Sequence, residues 1–179
     1  TDSPDIAAAA EEAGAEVPFR RPAALAADGA TTAAVVLHAL DSLTPAPATL
    51  VLLQPTTPLR TAADIEAYLA LASETGAPRV ASVAPCDEPP WWAMTLDDEG
   101  RAVPLFPERL AGGARSQDLP AAYRPNGAVF VLDAAAFRRD PRFWEAGMPV
   151  HPMPPERSVD IDTAADFERA EALLRATGA

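Results

Sequence analysis

The chain has 179 residues, an apolar share of 49% and a single cysteine, Cys86. This length allows one domain with a hydrophobic core, and the lone cysteine excludes an internal disulfide and fits a reducing cytoplasm. The net charge of −12 disfavours general nucleic-acid binding, and no apolar run is long enough to predict a membrane span. Because the chain begins at Thr1 in the middle of a pattern, we expect that an N-terminal segment is missing.

Two helices are predicted in the first part of the chain by capping residues. Ser3-Pro4 is typical of a helix start, and Gly14 is typical of a helix end. Thr31 or Thr32 can cap the second helix, because apolar residues then recur at helical spacing. These are Val35, Val36, Ala39, Leu40 and Leu43. Residues 15–19, between the two helices, predict a short strand.

Residues 49–53 form a short, almost wholly apolar run, which predicts a strand that is buried on both faces. The run ends at Gln54-Pro55, and Thr61 with Asp64 three positions on is a helix-start signature. Strand, polar loop and helix make half of a βαβ unit. Ligands of open parallel sheets bind beyond the carboxyl ends of the strands, so residues 54–60 would lie at the ligand edge. An ordinary βα loop is the alternative.

A second strand is predicted over residues 79–84, and the next segment breaks the βα alternation. This insertion, at about 85–120, contains Trp91-Trp92 and a plausible β-hairpin whose strands are 93–96 and 101–105. It would serve as a lid or a dimer arm. Exposed tryptophans would favour a contact with another protein, and packing on their own domain explains them equally well.

The last third of the chain continues the alternation of strands and helices. Strands are predicted over 127–132 and 148–153, and a short helix over 134–138. Thr163 opens the final helix, whose expected buried residues are Phe167, Ala170, Leu173 and Leu174. The corresponding face of the helix after Thr61 is expected to be Ile65, Leu69 and Ala72. The pattern therefore predicts an α/β domain with a mostly parallel sheet and flanking helices.

The sharpest chemical signal is Ser158-Val159-Asp160-Ile161-Asp162. If the segment is extended, Asp160 and Asp162 point the same way, because side chains alternate along a strand. Paired carboxylates suit Mg²⁺, which takes one or two of them together with waters and substrate phosphates. Solvated acids that favour the following helix N-terminus are the alternative. The chain has no glycine-rich phosphate-loop motif and no nucleophile constellation.

Five ordered sets of residues together resemble a known family. They are Thr1–Ala7 (T-D-S-x-x-I-A), Arg21–Ala26 (R-P-x-x-L-A), Leu52–Arg60 (L-L-Q-P-T-S-P-L-R, with Thr57 for the serine), Arg115–Pro120 (R-x-Q-x-L-P) with Pro125–Ala128 (P-N-G-A), and Ser158–Asp162 (S-x-D-I-D). The set is similar to that of the acylneuraminate cytidylyltransferases, also called CMP-sialic acid synthetases. No single motif would be specific, but five in order at suitable spacing are.

The resemblance implies a Rossmann-like α/β nucleotidyltransferase that works as a homodimer, with the hairpin insertion as its dimerisation arm. It also implies a reaction in which CTP and a sialic-acid-type nonulosonic acid give a CMP-sugar and pyrophosphate with Mg²⁺. By position, the residues around cytosine would be Arg21, Ala30 and Thr32. Those around the sugar acid would be Gln54, Arg115, Asn126, Phe130, Phe143 and Trp144, with Phe130 where the family often has tyrosine. Asp160 and Asp162 would bind the metal, and Asp160 is a candidate general base.

One departure from the family pattern is large. The family begins with a strand and a basic, glycine-rich loop resembling I-P-A-R-x-G-S-K-G that grips the triphosphate, and this sequence lacks it. We therefore expect residues 1–179 to be a single, N-terminally incomplete domain that cannot make a CMP-sugar by itself. The rival hypotheses are a 3-deoxy-octulosonate cytidylyltransferase, a GT-A-like glycosyltransferase, which also uses a D-x-D, and a non-catalytic paralogue.

Overall fold

The structure, a computed structural model, describes residues 1–110 and 115–177. Its helices are α1 (Pro4–Glu12), α2 (Thr32–Ser42), α3 (Ala62–Thr75), α4 (Pro107–Leu110), α5 (Ala134–Arg139) and α6 (Ala164–Thr177). Its strands are β1 (Thr49–Leu52), β2 (Arg79–Pro85), β3 (Met94–Leu96), β4 (Ala102–Pro104), β5 (Tyr123–Asp133) and β6 (Val150–Pro152). Among the described residues, no helix combines the length and the apolar character needed to cross a lipid bilayer.

The main sheet is mixed, so the prediction of a mostly parallel sheet is wrong in its pairing. The strand order is β1-β5-β2-β6, in which β5 runs antiparallel to both neighbours and only β2 and β6 pair in parallel. Because β5 runs in reverse, its amino end lies at the edge where β1 and β2 end. Leu52 pairs with Phe130, and Pro85 pairs with Tyr123. Residues at the start of β5 therefore join the predicted ligand edge.

Strand β1 differs most from the sequence prediction. The apolar run predicts burial on both faces, but Thr49 is exposed and the other three residues of β1 are only half-buried. The reason is position: within the described part of the chain, β1 ends the sheet and pairs only with β5. Residues 15–19, predicted as a strand, form no regular element in the structure. The other predicted strands are present within a few residues of their expected bounds.

The core lies on both faces of the sheet because side chains alternate along β5. One face packs against α2 and α5, and its buried residues include Val36, Leu40, Ala81, Phe130, Leu132 and Phe137. The other face packs against α3, and its buried residues are Tyr68, Val80, Ala128, Val129, Val131 and Met153. Two helical layers thus cover the central strands, as an α/β architecture requires.

The capping residues identified in the sequence cap helices in the structure. The hydroxyls of Ser3 and Thr31 accept hydrogen bonds from backbone N–H groups in the first turns of α1 and α2. Thr61 and Asp64 form a reciprocal capping box at the start of α3. Thr163 and Asp166 make the same two hydrogen bonds at the start of α6. Each cap satisfies donors that a helix N-terminus leaves without a partner.

The predicted buried faces of two helices are partly wrong. In α3 the fully buried side chain is Tyr68, whereas Leu69 is 39% exposed. Tyr68 can be buried because its hydroxyl donates to the carbonyl oxygen of His151 at 2.8 Å. In α6 Ala170 is buried, and Phe167 is 59% exposed. Helical spacing gives the period of an apolar face, but neighbouring strands decide which side chain of a helix lies innermost.

The segment between β2 and β5 contains the predicted hairpin, in which β3 and β4 pair antiparallel. Trp91 packs on this segment itself: its ring lies 5.2 Å from that of Phe106 under the guanidinium of Arg109, and its Nε1 donates to the carbonyl oxygen of Pro120. Several apolar side chains of the segment remain exposed in this single chain. They are Met94, Leu96, Val103 and Leu105.

Candidate active site

Three cavities lie at the edge where β1 and β2 end. The large cavity, of about 560 Å³, is lined by Arg21, Ala30, Thr32, Gln54, Asp160 and Asp162, among others. The acidic cavity, of about 320 Å³, contains Asp87, Asp160, Asp162 and Asp166 with Arg124 and Arg169. The aromatic cavity, of about 120 Å³, is formed by Thr32, Leu52, Gln54, Phe130, Phe143 and Trp144. Shared residues join the large cavity to each of the other two.

Asp160 and Asp162 line both the large and the acidic cavity. The segment that carries them is not a strand, so no sheet hydrogen bonds hold it in place. Its position depends instead on Ile161, whose N–H donates to the carbonyl oxygen of Thr56 at 2.8 Å. Val159, on the other side of Asp160, is 5% exposed and anchors the segment in the core. The two acids consequently reach the same two cavities.

The two carboxylates fit a divalent cation of the magnesium type. The Oδ1 atom of Asp160 is buried and has no hydrogen-bond partner among the described residues. Such an oxygen costs free energy unless a cation or a donor binds it. No cluster of three or more His, Cys, Asp or Glu side chains suited to a metal occurs in the described ranges. The protein would thus supply two ligands, and Mg²⁺ commonly takes the others from water and substrate phosphates.

Asn126 holds the segment that carries the two acids. Its side chain is 1% exposed; Oδ1 accepts from the hydroxyl of Ser82 at 2.6 Å, and Nδ2 donates to Oγ of Ser158 at 3.0 Å. It lines none of the three cavities. Sequence reasoning missed this anchoring role, which is visible only once β2, β5 and residue 158 meet. Its predicted contact with the sugar acid stays a prediction.

The loop after β1 is fixed by Arg60 and by the start of β5. The Nη1 atom of Arg60 donates to the carbonyl oxygens of Gln54 and Thr57, and burial lowers the pKa of this guanidinium from its usual value. The buried hydroxyl of Thr57 donates to the carbonyl oxygen of Asn126 at 2.8 Å. At Gly127, whose φ is +69°, an added Cβ would lie 2.1 Å from Oε1 of Gln54. The loop therefore aims Gln54 at the large and aromatic cavities.

Arg21 belongs to the large cavity and contacts the first residues of the chain. Its Nη2 donates to Oδ1 of Asp2 at 3.1 Å, and its backbone N–H donates to the carbonyl oxygen of Thr1. The hydrogen bond from Arg21 is the main cause that lowers the pKa of Asp2. The Nε–H group of Arg21 is buried without a partner in the described structure. It is thus a donor that a ligand of the large cavity could use.

Arg115 is not brought to the three cavities. Its side chain is 73% exposed, and its Nε pairs with Oδ2 of Asp118 at 3.0 Å. The acidic cavity, which Asp160 also lines, is lined instead by Arg124 and Arg169. Sequence reasoning missed both, although Arg124 directly precedes the P-N-G-A motif. The predicted role of Arg115 toward the sugar acid remains a prediction.

The mixed sheet between helical layers, with cavities at the strand ends, defines the class of this protein as an α/β fold. The fold matches the crystal structure of 4-diphosphocytidyl-2C-methyl-D-erythritolsynthase from Anaerococcus prevotii with a TM-score of 0.52 at 10% identity, over 82% of this chain and 68% of that one. No protein-family model matches the chain. At this identity the structural match concerns the fold alone.

Sequence comparison shows that the chain is homologous to N-acylneuraminate cytidylyltransferases. It is 34% identical over 117 residues to the one of Streptococcus agalactiae serotype V, which covers 65% of this chain and 28% of the relative. It is 32% identical over 171 residues to the one of Escherichia coli, with 95% and 40% covered. The CMP-N,N'-diacetyllegionaminic acid synthase of Legionella pneumophila is 29% identical, with 97% and 75% covered. The chain thus spans well under half the length of the first two relatives. The resemblance stated from the motifs is confirmed.

Proposed function

We propose that this chain provides the substrate site of a cytidylyltransferase that transfers CMP from CTP to a sialic-acid-type nonulosonic acid. The observation that carries the proposal is the position of Asp160 and Asp162 in the wall of a cavity that also holds Arg21 and Gln54. Residues predicted for the base, the sugar and the metal therefore face one volume. The homology supports the reaction class, and the relatives include enzymes named for two different nonulosonic acids.

The cavities suggest where each part of the substrates binds. Cytosine would occupy the large cavity beside Arg21, Ala30 and Thr32, where the unpartnered Nε–H of Arg21 can donate to an acceptor of the base. The acyl substituent of the sugar would enter the aromatic cavity between Phe143 and Trp144, because that cavity is mostly apolar. Gln54 borders both cavities and would hydrogen-bond the sugar.

The reaction joins the anomeric oxygen of the sugar acid to the α-phosphorus of CTP. That O–P bond forms as the bond between the α-phosphorus and the β-bridging oxygen breaks; pyrophosphate leaves, and the hydroxyl proton passes to a base or to solvent. Mg²⁺ held by Asp160 and Asp162 would neutralise phosphate oxygens and stabilise the charge of the leaving group. The rest of the site acts by binding and orienting both substrates, which is a large part of catalysis for such transfers.

The hairpin segment is the candidate dimer arm. It leaves Met94 and Leu96 exposed on one face of the hairpin and Val103 exposed on the other, and a second copy of the chain can cover the face that carries Met94 and Leu96. We therefore propose a homodimer that is held in part by β3 and β4.

The metal assignment is tested with Asp162→Asn in the protein that contains this chain. Pyrophosphate release from CTP, Mg²⁺ and N-acetylneuraminate should fall by at least about 100-fold, because even residues that only support metal ligands cost 10–100-fold when replaced. The matched control is Asp87→Asn, which removes the same charge from the acidic cavity at a residue outside the large cavity. Equal activity of the two variants, with unchanged Mg²⁺ dependence, would refute the assignment.

A further inference from the structure

Arg79 is a buried cation at the start of β2. The residue is 3% exposed and pairs across the sheet with Leu132, so its charge must be compensated by partners. Its Nη1 lies 3.0 Å from Oε2 of Glu145 and 3.3 Å from Oδ2 of Asp140. Its Nη2 donates to the backbone carbonyl oxygen of Asp140 at 3.3 Å. One guanidinium therefore binds two acids that are five positions apart.

These two acids bracket the aromatic pair of the candidate site. Residues 140–149 connect α5 to β6 and contain neither a helix nor a strand. Phe143 and Trp144 lie between Asp140 and Glu145, so the guanidinium of Arg79 fixes both ends of the short segment that carries them. The described backbone hydrogen bonds of residues 141–149 are local, from the N–H of Arg142 to the carbonyl oxygen of Asp140 and from the N–H of Met148 to that of Glu145, so they do not tie the loop to the sheet. The ion pairs are thus well placed to set where the two rings lie.

The rings in turn form the walls of the aromatic cavity. Phe143 lies 5.3 Å from Phe130 and 5.2 Å from Phe137, and Trp144 lies 5.5 Å from Phe130, between ring centroids. The cavity between them measures about 120 Å³, so a small displacement of either ring changes its volume by a large fraction. Aromatic pairs of this kind favour a particular geometry, so the positions of the two rings and of the loop that carries them are linked.

We propose that Arg79 is a positioning residue that, through Asp140 and Glu145, holds Phe143 and Trp144 and thereby selects the acyl substituent of the substrate. The selectivity rests on the proposed function, whereas the control of the ring positions does not. In the described part of the chain the side-chain hydrogen bonds of Arg79 all go to these two acids, so its effect on the cavity is indirect.

Glu145 is the cleaner acid to change. Asp140 also accepts two hydrogen bonds of 2.7 Å from Arg142, which together with Arg79 lowers the pKa of Asp140. The carboxylate of Glu145 pairs with Arg79 alone among the described residues. Glu145→Gln therefore removes one charge from the cluster and leaves the buried guanidinium its second partner, which keeps the fold intact.

The first experiment follows the rings without substrate, in protein labelled with 5-fluorotryptophan. The chain has three tryptophans, and Trp144→Phe assigns the ¹⁹F line of Trp144. We expect Glu145→Gln to shift and broaden that line while the lines of Trp91 and Trp92 stay in place. The matched control is Asp41→Asn, which breaks the ion pair of Asp41 with Arg138 on the helix that precedes the same loop.

The second experiment measures KM in the same variants for an N-acylated nonulosonic acid and for an analogue without the acylamino group. Glu145→Gln should raise KM for the acylated substrate by roughly 10-fold, the scale on which one pocket contact discriminates, and leave kcat and the analogue's KM unchanged. Arg79→Lys should also raise KM for the acylated substrate, but to a smaller extent, because the ammonium group of lysine replaces only some of the hydrogen bonds of the guanidinium.

An unmoved Trp144 line in Glu145→Gln, or an equal shift in Asp41→Asn, overturns the positioning role. A moved line with equal KM changes for both substrates overturns the selectivity. Lack of activity toward any sugar acid in the unaltered protein overturns the proposed function, and the ¹⁹F line still decides the positioning role.

Discussion

The most direct test of the site geometry is Gly127→Ala. Gly127 has a φ of +69°, and a Cβ built on it would lie 2.1 Å from Oε1 and 3.1 Å from Cδ of Gln54. Real Cβ atoms do not approach an oxygen so closely, so the side chain of Gln54 must move. Gln54 borders the large and the aromatic cavity, and the substitution therefore disturbs the candidate site without removing any of its side chains.

The size of the effect follows from two contributions. Placing alanine in the left-handed region costs roughly 1–2 kcal/mol of stability. Alanine also lowers the conformational entropy of the unfolded chain, which offsets about 0.4–1 kcal/mol of that loss. Moving Gln54 into a poorer rotamer adds about 0.5–1.5 kcal/mol. For a chain of this size each kcal/mol lowers Tm by about 2–4 °C.

Gly76 offers a matched control for the first contribution. It also has a positive φ, +62°, but a Cβ there would meet nothing within 4 Å. Gly76→Ala should therefore show the backbone cost alone. Gly127→Ala should melt lower than Gly76→Ala by about 2–4 °C, corresponding to the roughly 1 kcal/mol of displacement. It should also raise KM for the sugar acid more than KM for CTP.

A double substitution completes the cycle. In a Gln54→Ala background the side-chain atoms that the new Cβ meets are gone, and the next atom, Oγ1 of Thr57, lies at an ordinary 3.6 Å. Gly127→Ala should then cost no more than Gly76→Ala. If the two glycine substitutions lower Tm equally in the wild-type background, or if Gln54→Ala leaves the cost of Gly127→Ala unchanged, the proposed contact is wrong.

Three further predictions follow from the same structure. If Arg115 binds the sugar carboxylate, Arg115→Lys should raise KM for the sugar acid more than KM for CTP, because lysine cannot bind a carboxylate through two parallel hydrogen bonds. A larger effect of Arg124→Lys on KM for the sugar acid would instead assign the carboxylate contact to Arg124 in the acidic cavity. Leu96→Asp should shift the protein from dimer to monomer in light scattering, and a stable unaltered monomer at micromolar concentration would refute the dimer arm. Burial by itself would raise the pKa of Asp64, but hydrogen bonds from Arg157 and from the capping box lower this pKa below its ordinary value of 3.8. The stability that these hydrogen bonds provide is therefore present above pH 3.8 and is lost as the pH falls through the lowered pKa. Asp64→Asn should thus reduce the free energy of unfolding at pH 7 and have little effect near pH 2; an equal loss at both pH values would contradict this.

Local hydrogen bonding explains why some features could be predicted from the sequence. The helix starts at Thr61 and Thr163 depend on partners three residues away, and both capping boxes are present. The hairpin of β3 and β4 likewise depends on a short turn, at Asp97–Gly100. In each case the signal and the structure lie within the same few residues, so no distant contact can overrule it.

Features that depend on distant contacts could not be predicted in this way. The apolar run of β1 indicates a strand, but not that it ends the described sheet or pairs with an antiparallel β5. Periodicity in α3 gives no reason to expect Tyr68 rather than Leu69 to be the buried side chain. The carbonyl oxygen of His151, which accepts from the hydroxyl of Tyr68, belongs to β6 and is distant in sequence. Arg79 looks in sequence like an ordinary strand end, and its partners are more than 60 positions away.

The motifs that carry the family resemblance contact one another in space, which is a stronger argument than their order. Arg21 binds Asp2, Thr57 binds Asn126, and the backbone of Ile161 binds that of Thr56. The two carboxylates are carried by a segment without regular structure, so their separation depends on these contacts and on Ser158. A change in the loop after β1 should therefore alter the proposed metal site as well as the proposed sugar site, because both depend on the same contacts. Residues 115–120 are the exception, since Arg115 pairs only with Asp118 in the described structure, which is why its role needs its own test.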